Sequence, residues 1–172
     1  MFEVFGEFDS VEELNMAAEG LKNEGDNDGL FKLAEENGIS EDFVHVYQFG
    51  GMPILCCDVA TAAMGKIDVE AAELNPQEKI LDWVNYIKGE CFKNDDMARA
   101  VRRKGKNLKG CLGKLLAWSC NHSYKIHPDI VEAAGADFKK MVGAKGAQRV
   151  EVEECTPGEG TAKKLIKEYY LG

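Results

Sequence analysis

The sequence predicts a mainly helical protein made of two modules, with one minor β element near residues 149–154. Along most of the chain, apolar residues recur at steps of three and four, which is the spacing of a buried helix face. Polar capping residues precede these segments, and Gly or Asn residues follow them. A hydrophobic fraction of 45% is sufficient for a packed core. The apolar runs are short and interrupted, so no membrane-spanning helix is expected.

The N-terminal module, residues 1–75, is predicted to be acidic and helical. Polar caps are expected to open its first three helices, at Ser10, Asp28 and Ser40. Turns are expected to close them, at Gly25, Asn37-Gly38 and Gly50-Gly51. Pro53 is predicted to open a fourth helix, and residues 66–74 allow a short further one. Asn75-Pro76 is the predicted module boundary, because a residue before proline disfavours the α region; an ordinary turn is the alternative.

The C-terminal module, residues 76–172, is predicted to be basic and helical with one short strand. Its clearest helix carries an apolar stripe from Ile80 to Cys91. A second helix should begin near Met97 and end at Gly105 in a left-handed conformation. The helix that follows contains Gly110 and Gly113, which we expect to permit close approach of another backbone.

A strand is predicted where polar and apolar residues alternate, over residues 149–153. A single strand is not stable alone, so it needs a partner. The sequence leaves two candidates for that partner, the segment Phe2 to Phe5 or a second chain. A final helix is expected to begin after Thr161.

The net charge of −9 conceals a division of charge along the chain. Residues 1–96 contain 22 acidic and 6 basic side chains, a net charge of −16. Residues 97–172 contain 8 acidic and 15 basic side chains, a net charge of +7. Such asymmetry indicates either two faces for different partners or two halves that attract each other. A solvated acidic surface that maintains solubility is the third interpretation.

Seven cations within sixteen residues form the candidate binding site. They surround a turn between two helices, residues 102–107, which we call the basic turn. They are Arg99, Arg102, Arg103, Lys104, Lys106, Lys109 and Lys114. Cations beside a helix start attract phosphate, so the predicted ligand is nucleic acid or an acidic protein surface. The alternatives are a solvated helix face or pairing with the acidic half of the chain.

The acidic half supports a second functional hypothesis. Its array of carboxylates can imitate the phosphates of DNA, so that the protein would occupy the nucleic-acid groove of a partner. Both hypotheses describe binding rather than catalysis. No catalytic arrangement or cofactor motif is predicted, and the protein is interpreted as non-enzymatic, without a cofactor and without a membrane partner.

A zinc site is the only metal site that the sequence offers for consideration. Its ligands would come from Cys111, Cys120, His122 and His127, but their spacing matches no standard zinc module, so no metal ligand is assigned. The six cysteines mostly have apolar neighbours, and the N-terminus lacks the basic start of a signal peptide. Both features favour a cytoplasmic location.

Several stretches of the C-terminal half carry a resemblance to a known group of proteins. They run from Trp83 to Asp96-Met97-Ala98, from Lys104 to Cys111, and from Gly160 to Tyr170. These stretches resemble small proteins of phages and conjugative elements in Firmicutes, the PcfK-like proteins and a family of Cas9 inhibitors. The resemblance implies a binding protein of a mobile genetic element, with an anti-CRISPR inhibitor of a Cas nuclease as the specific candidate. The alternative is a DNA- or RNA-binding accessory protein of conjugation or phage replication. No catalytic residues are implied.

Overall fold

The computed structural model describes residues 2–56, 58–143 and 153–172. These ranges form ten helices and a two-stranded sheet, which confirms the prediction of a mainly helical fold with a minor β element. The helices are α1 (Val11–Glu24), α2 (Asn27–Glu36), α3 (Glu41–Gln48), α4 (Val59–Leu74), α5 (Glu78–Lys93), α6 (Asp95–Arg102), α7 (Leu108–Ser119), α8 (Pro128–Ala133), α9 (Gly135–Met141) and α10 (Glu159–Leu171). The strands are β1 (Tyr124–Lys125) and β2 (Glu153–Glu154). No helix within the described ranges has both the length and the apolar character needed to cross a membrane.

Side-chain caps begin the N-terminal helices, as their residue types predict. Ser10 accepts a hydrogen bond from the Glu13 N–H at the start of α1. Ser40 caps α3 in the same way. The cap of α2 is Asp26, two residues before the predicted Asp28, and it accepts from the Gly29 N–H. Both acids satisfy the capping preference, so the sequence alone did not distinguish between them.

α4 is one helix of 16 residues, whereas the pattern predicted a helix from Pro53 and a separate short one. Asp58 caps it by accepting from the Thr61 N–H at 2.7 Å. The segment before it is held against α1, because Asn15 exchanges two hydrogen bonds with the Cys56 backbone, both 2.9 Å. Pro53 lies in this connecting segment and is not part of a helix.

Two hydrophobic clusters form the interior of the described chain, and α4 contributes to both. The first contains the buried faces of α1, α2 and α3, and Ala62 of α4 belongs to it. The second contains the buried faces of α5, α6, α7 and α10, with Ala63 and Ile67 of α4. The module boundary at residue 75 stays a prediction.

The backbones of α4 and the end of α2 are in direct contact. A Cβ atom added at Gly65 would lie 2.3 Å from the Asn37 carbonyl oxygen. Gly38 faces Gly65 and has a φ of +65°, which favours glycine. Because Gly38 and Gly65 lack side chains, α2 can approach α4 closely. The helices α1, α2 and α3, which we call the acidic helices, therefore lie close to the second cluster.

The strand pairs with another segment of the same chain, but that segment is not Phe2 to Phe5. β2 pairs antiparallel with β1, so that Tyr124 faces Glu154 and Lys125 faces Glu153. The rest of the predicted strand, residues 149–152, lies outside the described residues. The expected pairing with the segment Phe2 to Phe5 is wrong for β2. The N–H groups of Glu3, Val4 and Phe5 instead donate to the Glu36 carboxylate.

Candidate functional site

The seven candidate cations do not form one exposed patch. Arg102 is only 1% exposed. The Lys106 ammonium donates a 2.5 Å hydrogen bond to the Tyr169 carbonyl oxygen and lies 5.1 Å from the Tyr169 ring centroid. Lys114 lies 3.7 Å from a Glu168 carboxylate oxygen. The four that remain exposed are Arg99, Arg103, Lys104 and Lys109.

Arg102 is a structural residue rather than a surface contact, which corrects its assignment to a partner-binding site. It follows Ala98 by four residues on the buried face of α6. Its Nη2 atom donates a 2.5 Å hydrogen bond to Asn37 Oδ1 at the end of α2. The guanidinium carbon lies 5.9 Å from the Phe8 ring centroid. Burial lowers the pKa of Arg102, although nearby Cys56 and carboxylates oppose that effect. Arg102 therefore joins α6 to the acidic helices.

Three carboxylates bind the backbone of the basic turn and the start of α7. Asp9 Oδ1 accepts from the Lys104 N–H at 2.9 Å, and Glu7 Oε2 accepts from the Gly105 N–H at 2.9 Å. Glu70 Oε2 accepts from the Leu108 N–H at 2.5 Å. We call Glu7, Asp9 and Glu70 the carboxylate clasp. Backbone N–H groups that would attract phosphate are thus occupied by acids of the same chain.

Lys66 also binds the basic turn, but as a cation that donates to backbone carbonyl oxygens. Its Nζ atom donates to the Lys106 carbonyl oxygen at 2.8 Å and to the Arg103 carbonyl oxygen at 3.4 Å. The same atom lies 3.2 Å from Glu7 Oε1 and 3.8 Å from Glu70 Oε1. Because Lys66 is 1% exposed, these four contacts replace its hydration.

Glu70 is the most buried carboxylate of the clasp. Burial raises its pKa from 4.5 to about 6, while the Leu108 N–H and the Lys66 ammonium oppose that rise. Its Oε1 atom has no hydrogen-bond partner among the described residues. Sequence reasoning missed the Lys66–Glu70 pair. The available signal was two charged residues, four positions apart, on a helix stretch rich in alanine.

Backbone N–H groups at the start of α7 are bound by the cap residue Asn107 and by Tyr169 of α10. Asn107 Oδ1 accepts from the Gly110 N–H at 2.7 Å, and the Tyr169 hydroxyl accepts from the Asn107 N–H at 3.2 Å. A Cβ atom at Gly110 would lie 2.3 Å from that hydroxyl, whereas Gly113 has no atom within 4 Å of its added Cβ. A side chain, rather than the expected second backbone, therefore approaches Gly110.

The acidic helices remain largely uncompensated. Residues 1–56 contain 13 acidic side chains and only two basic ones, Lys22 and Lys32. Lys22 donates a 2.6 Å hydrogen bond to the Tyr47 carbonyl oxygen, and Lys32 lies 2.8 Å from Glu35. The carboxylates that remain exposed on and around α1, α2 and α3 are Glu12, Glu13, Glu19, Glu24, Asp26, Asp28, Glu35, Glu41 and Asp42.

The four residues considered for zinc are not brought together. Cys111 is buried in the second cluster, and burial raises its thiol pKa to about 12. Cys120, His122 and His127 are exposed. The His122 ring stacks on Trp118 with 4.2 Å between centroids. Across the described ranges, no three His, Cys, Asp or Glu side chains are grouped so that they could hold a metal ion.

Comparisons with known proteins add no relative to this description. No family model, curated protein or solved structure matches the chain. The resemblance to PcfK-like proteins and Cas9 inhibitors stays a prediction. Charge, exposure and the contacts of the clasp are therefore the basis for a functional proposal.

Proposed function

We propose that the protein is a non-enzymatic binding protein whose acidic helices occupy a cationic groove on a protein partner. One observation carries this proposal: the clasp uses the chain's own acids to satisfy the basic turn, while most carboxylates of α1, α2 and α3 face solvent, and acidic residues outnumber basic ones by 13 to 2 over residues 1–56. A surface of this kind attracts a groove that normally holds nucleic acid.

The resemblance described above gives the proposal a specific form. A mobile-element protein with an acidic surface would inhibit a Cas nuclease by taking the place of nucleic acid in its channel. Complementary charge mainly accelerates association, so the association rate should fall steeply as salt is added. The buried Arg102 would contribute to stability in this scheme, and not to the contact.

Nucleic-acid binding is the second candidate, and a specific observation favours it. Arg99, Arg103, Lys104 and Lys109 are exposed around the basic turn. Two acids reduce the positive potential there, because Glu12 interacts electrostatically with Arg99 and Asp9 binds the Lys104 N–H. Four cations beside acids should give weak binding with a shallow salt dependence.

Two charge-reversal variants test these proposals against each other. The acidic variant combines Glu19→Lys, Glu24→Lys and Asp28→Lys, and the basic variant combines Arg103→Glu, Lys104→Glu and Lys109→Glu. Asp137→Lys and Lys164→Glu are controls at exposed positions of the C-terminal half. The measurements are target cleavage by a panel of Cas9 nucleases and binding to duplex DNA.

We expect the acidic variant to lose inhibition while the basic variant and both controls retain it. Loss of DNA binding in the basic variant alone, with no nuclease inhibited by wild-type protein, would replace the first candidate by the second. Inhibition that survives the acidic variant would contradict the proposed role of the acidic helices.

A further inference from the structure

An apolar stripe faces outward from α3, in the middle of the acidic helices. Phe43 is 47% exposed, Val46 is 44% exposed, and Phe49, directly after the helix, is 87% exposed. Their spacing of three residues places them on one face. The opposite face is also apolar, with Val44 and Tyr47 buried in the first cluster. Glu41, Asp42 and His45 are exposed as well, so apolar and polar side chains share the outer surface of α3.

A depression also lies between α1 and the segment that follows α3, and Tyr47 is part of its lining. Its volume is about 260 Å³. Met16 and Ile54 contribute apolar lining, although they are 72% and 40% exposed. Glu12 and Glu19 of α1 contribute carboxylates to the same depression. The surface therefore combines apolar side chains with an acidic rim.

Two cations offset part of the negative charge of this depression. Lys22 also lines it, with its ammonium bound to the Tyr47 carbonyl and 4.2 Å from the Tyr47 ring centroid, and Arg99 of α6 interacts electrostatically with Glu12. Glu41 and Asp42 add two more exposed carboxylates at the start of α3. A partner that covers the stripe must therefore bring positive charge to its edges and apolar side chains to its centre.

We propose that the α3 stripe docks a basic amphipathic helix of a partner protein. The proposal rests on the proposed function, and it adds an apolar anchor to the charged contact. Phe43 to Phe49 spans about 9 Å along a helix axis at 1.5 Å per residue. That length matches about two turns of a partner helix with apolar residues at i, i+3, i+4 and i+7. Lysine or arginine beside that stripe would meet Glu41 and Asp42 at the start of α3.

A second copy of the chain fits this surface less well than a basic helix does. Each copy carries a net charge of −9, so two acidic rims would repel each other. Burying the stripe against a cationic helix removes apolar area from water and also neutralises the rim. Hot spots of protein interfaces commonly combine such apolar anchors with surrounding polar groups.

The test uses a synthetic helix of leucine and lysine as the probe, with leucine at i, i+3, i+4 and i+7. A peptide of the same composition in scrambled order is its control. Fluorescence anisotropy measures binding to the full chain. The test variant is Val46→Ser with Phe49→Ser, and the matched control is Phe92→Ser with Leu116→Ser, at exposed apolar positions of α5 and α7. Circular dichroism checks that both variants are folded.

We expect the amphipathic peptide to bind wild-type protein at least about tenfold more tightly than the scrambled one. The Val46/Phe49 variant should lose about tenfold in affinity, and the Phe92/Leu116 variant should bind like wild type. Equal binding of the two peptides, or unchanged binding by the Val46/Phe49 variant, would overturn the docking site.

Sedimentation of the chain alone tests the other occupant. A wild-type dimer that the Val46/Phe49 substitutions dissociate would show that a second copy covers the stripe, and would also overturn the proposal. Failure of the proposed function gives a different result. Charge reversal at Glu19, Glu24 and Asp28 would then leave nuclease inhibition unchanged, and this outcome does not depend on whether the peptide binds.

Discussion

Replacing Glu70 by glutamine should stabilise the protein near neutral pH and abolish one part of its pH dependence. Glutamine keeps an oxygen for the 2.5 Å hydrogen bond from the Leu108 N–H. It removes a negative charge that is 2% exposed and that leaves Oε1 without a hydrogen-bond partner among the described residues. The substitution therefore mimics the protonated form of Glu70, which the interior favours.

The magnitude follows from the pKa of Glu70. The pKa rises from 4.5 in the unfolded chain to about 6 in the folded protein. Between these values the folded protein holds a proton that the unfolded chain has released, so the free energy of unfolding falls as pH rises. The shift corresponds to about 2 kcal/mol, at 1.36 kcal/mol per unit. Glutamine should recover this amount near pH 7, and almost none of it near pH 4.

Urea unfolding followed by circular dichroism measures the difference between variant and wild type from about pH 4 to about pH 7. Near neutral pH, the expected gain corresponds to an increase of about 4–8 °C in melting temperature. Glu24→Gln is the matched control, because it removes an exposed carboxylate from α1 and keeps the same net charge change. A difference that does not vary with pH would show that attraction to Lys66 cancels the effect of burial, and a less stable glutamine variant at pH 7 would show that attraction outweighs burial.

Two further predictions concern the junction between α2, α4 and α6, and a third concerns α1. Arg102→Met should lower the free energy of unfolding by about 2–4 kcal/mol, measured in urea, since Asn37 and the nearby carboxylates lose a buried partner. DNA binding at low salt should not change, and a loss specific to this variant would contradict its buried position. Gly65→Ala should cost about 2 kcal/mol or more, because its Cβ would lie 2.3 Å from a backbone oxygen. Gly20→Ala, with open space in α1, should instead stabilise by about 0.5–1 kcal/mol in the same measurement.

Helix positions could be predicted where the signal was local. Ser10 and Ser40 cap α1 and α3 as their residue types predict. Gly105 has a φ of +79°, which confirms its predicted left-handed conformation. Capping and left-handed turns depend on neighbouring residues, so a single sequence contains the necessary information.

Elements that depend on distant contacts were predicted poorly. The partner of β2 is β1, which carries no recognisable strand pattern in its two residues. α4 begins at Val59 after its Asp58 cap, and Asn15 of α1 binds the backbone of Cys56 just before it. In both cases hydrogen bonds between residues that are far apart in the sequence contribute to the outcome.

The sequence by itself determined that the protein is mainly helical, that its charge is divided between its halves, and that cations cluster around the turn before α7. Only the tertiary structure decided what those cations do. Glu7 reaches Gly105 across 98 residues, and Asn37 reaches Arg102 across 65. Whether a charge faces solvent or the interior depends on which distant groups replace its hydration, and composition and spacing contain no record of that. As a result, the chain's own acids bind the backbone of the basic turn, while carboxylates of the acidic helices and the apolar stripe of α3 face solvent.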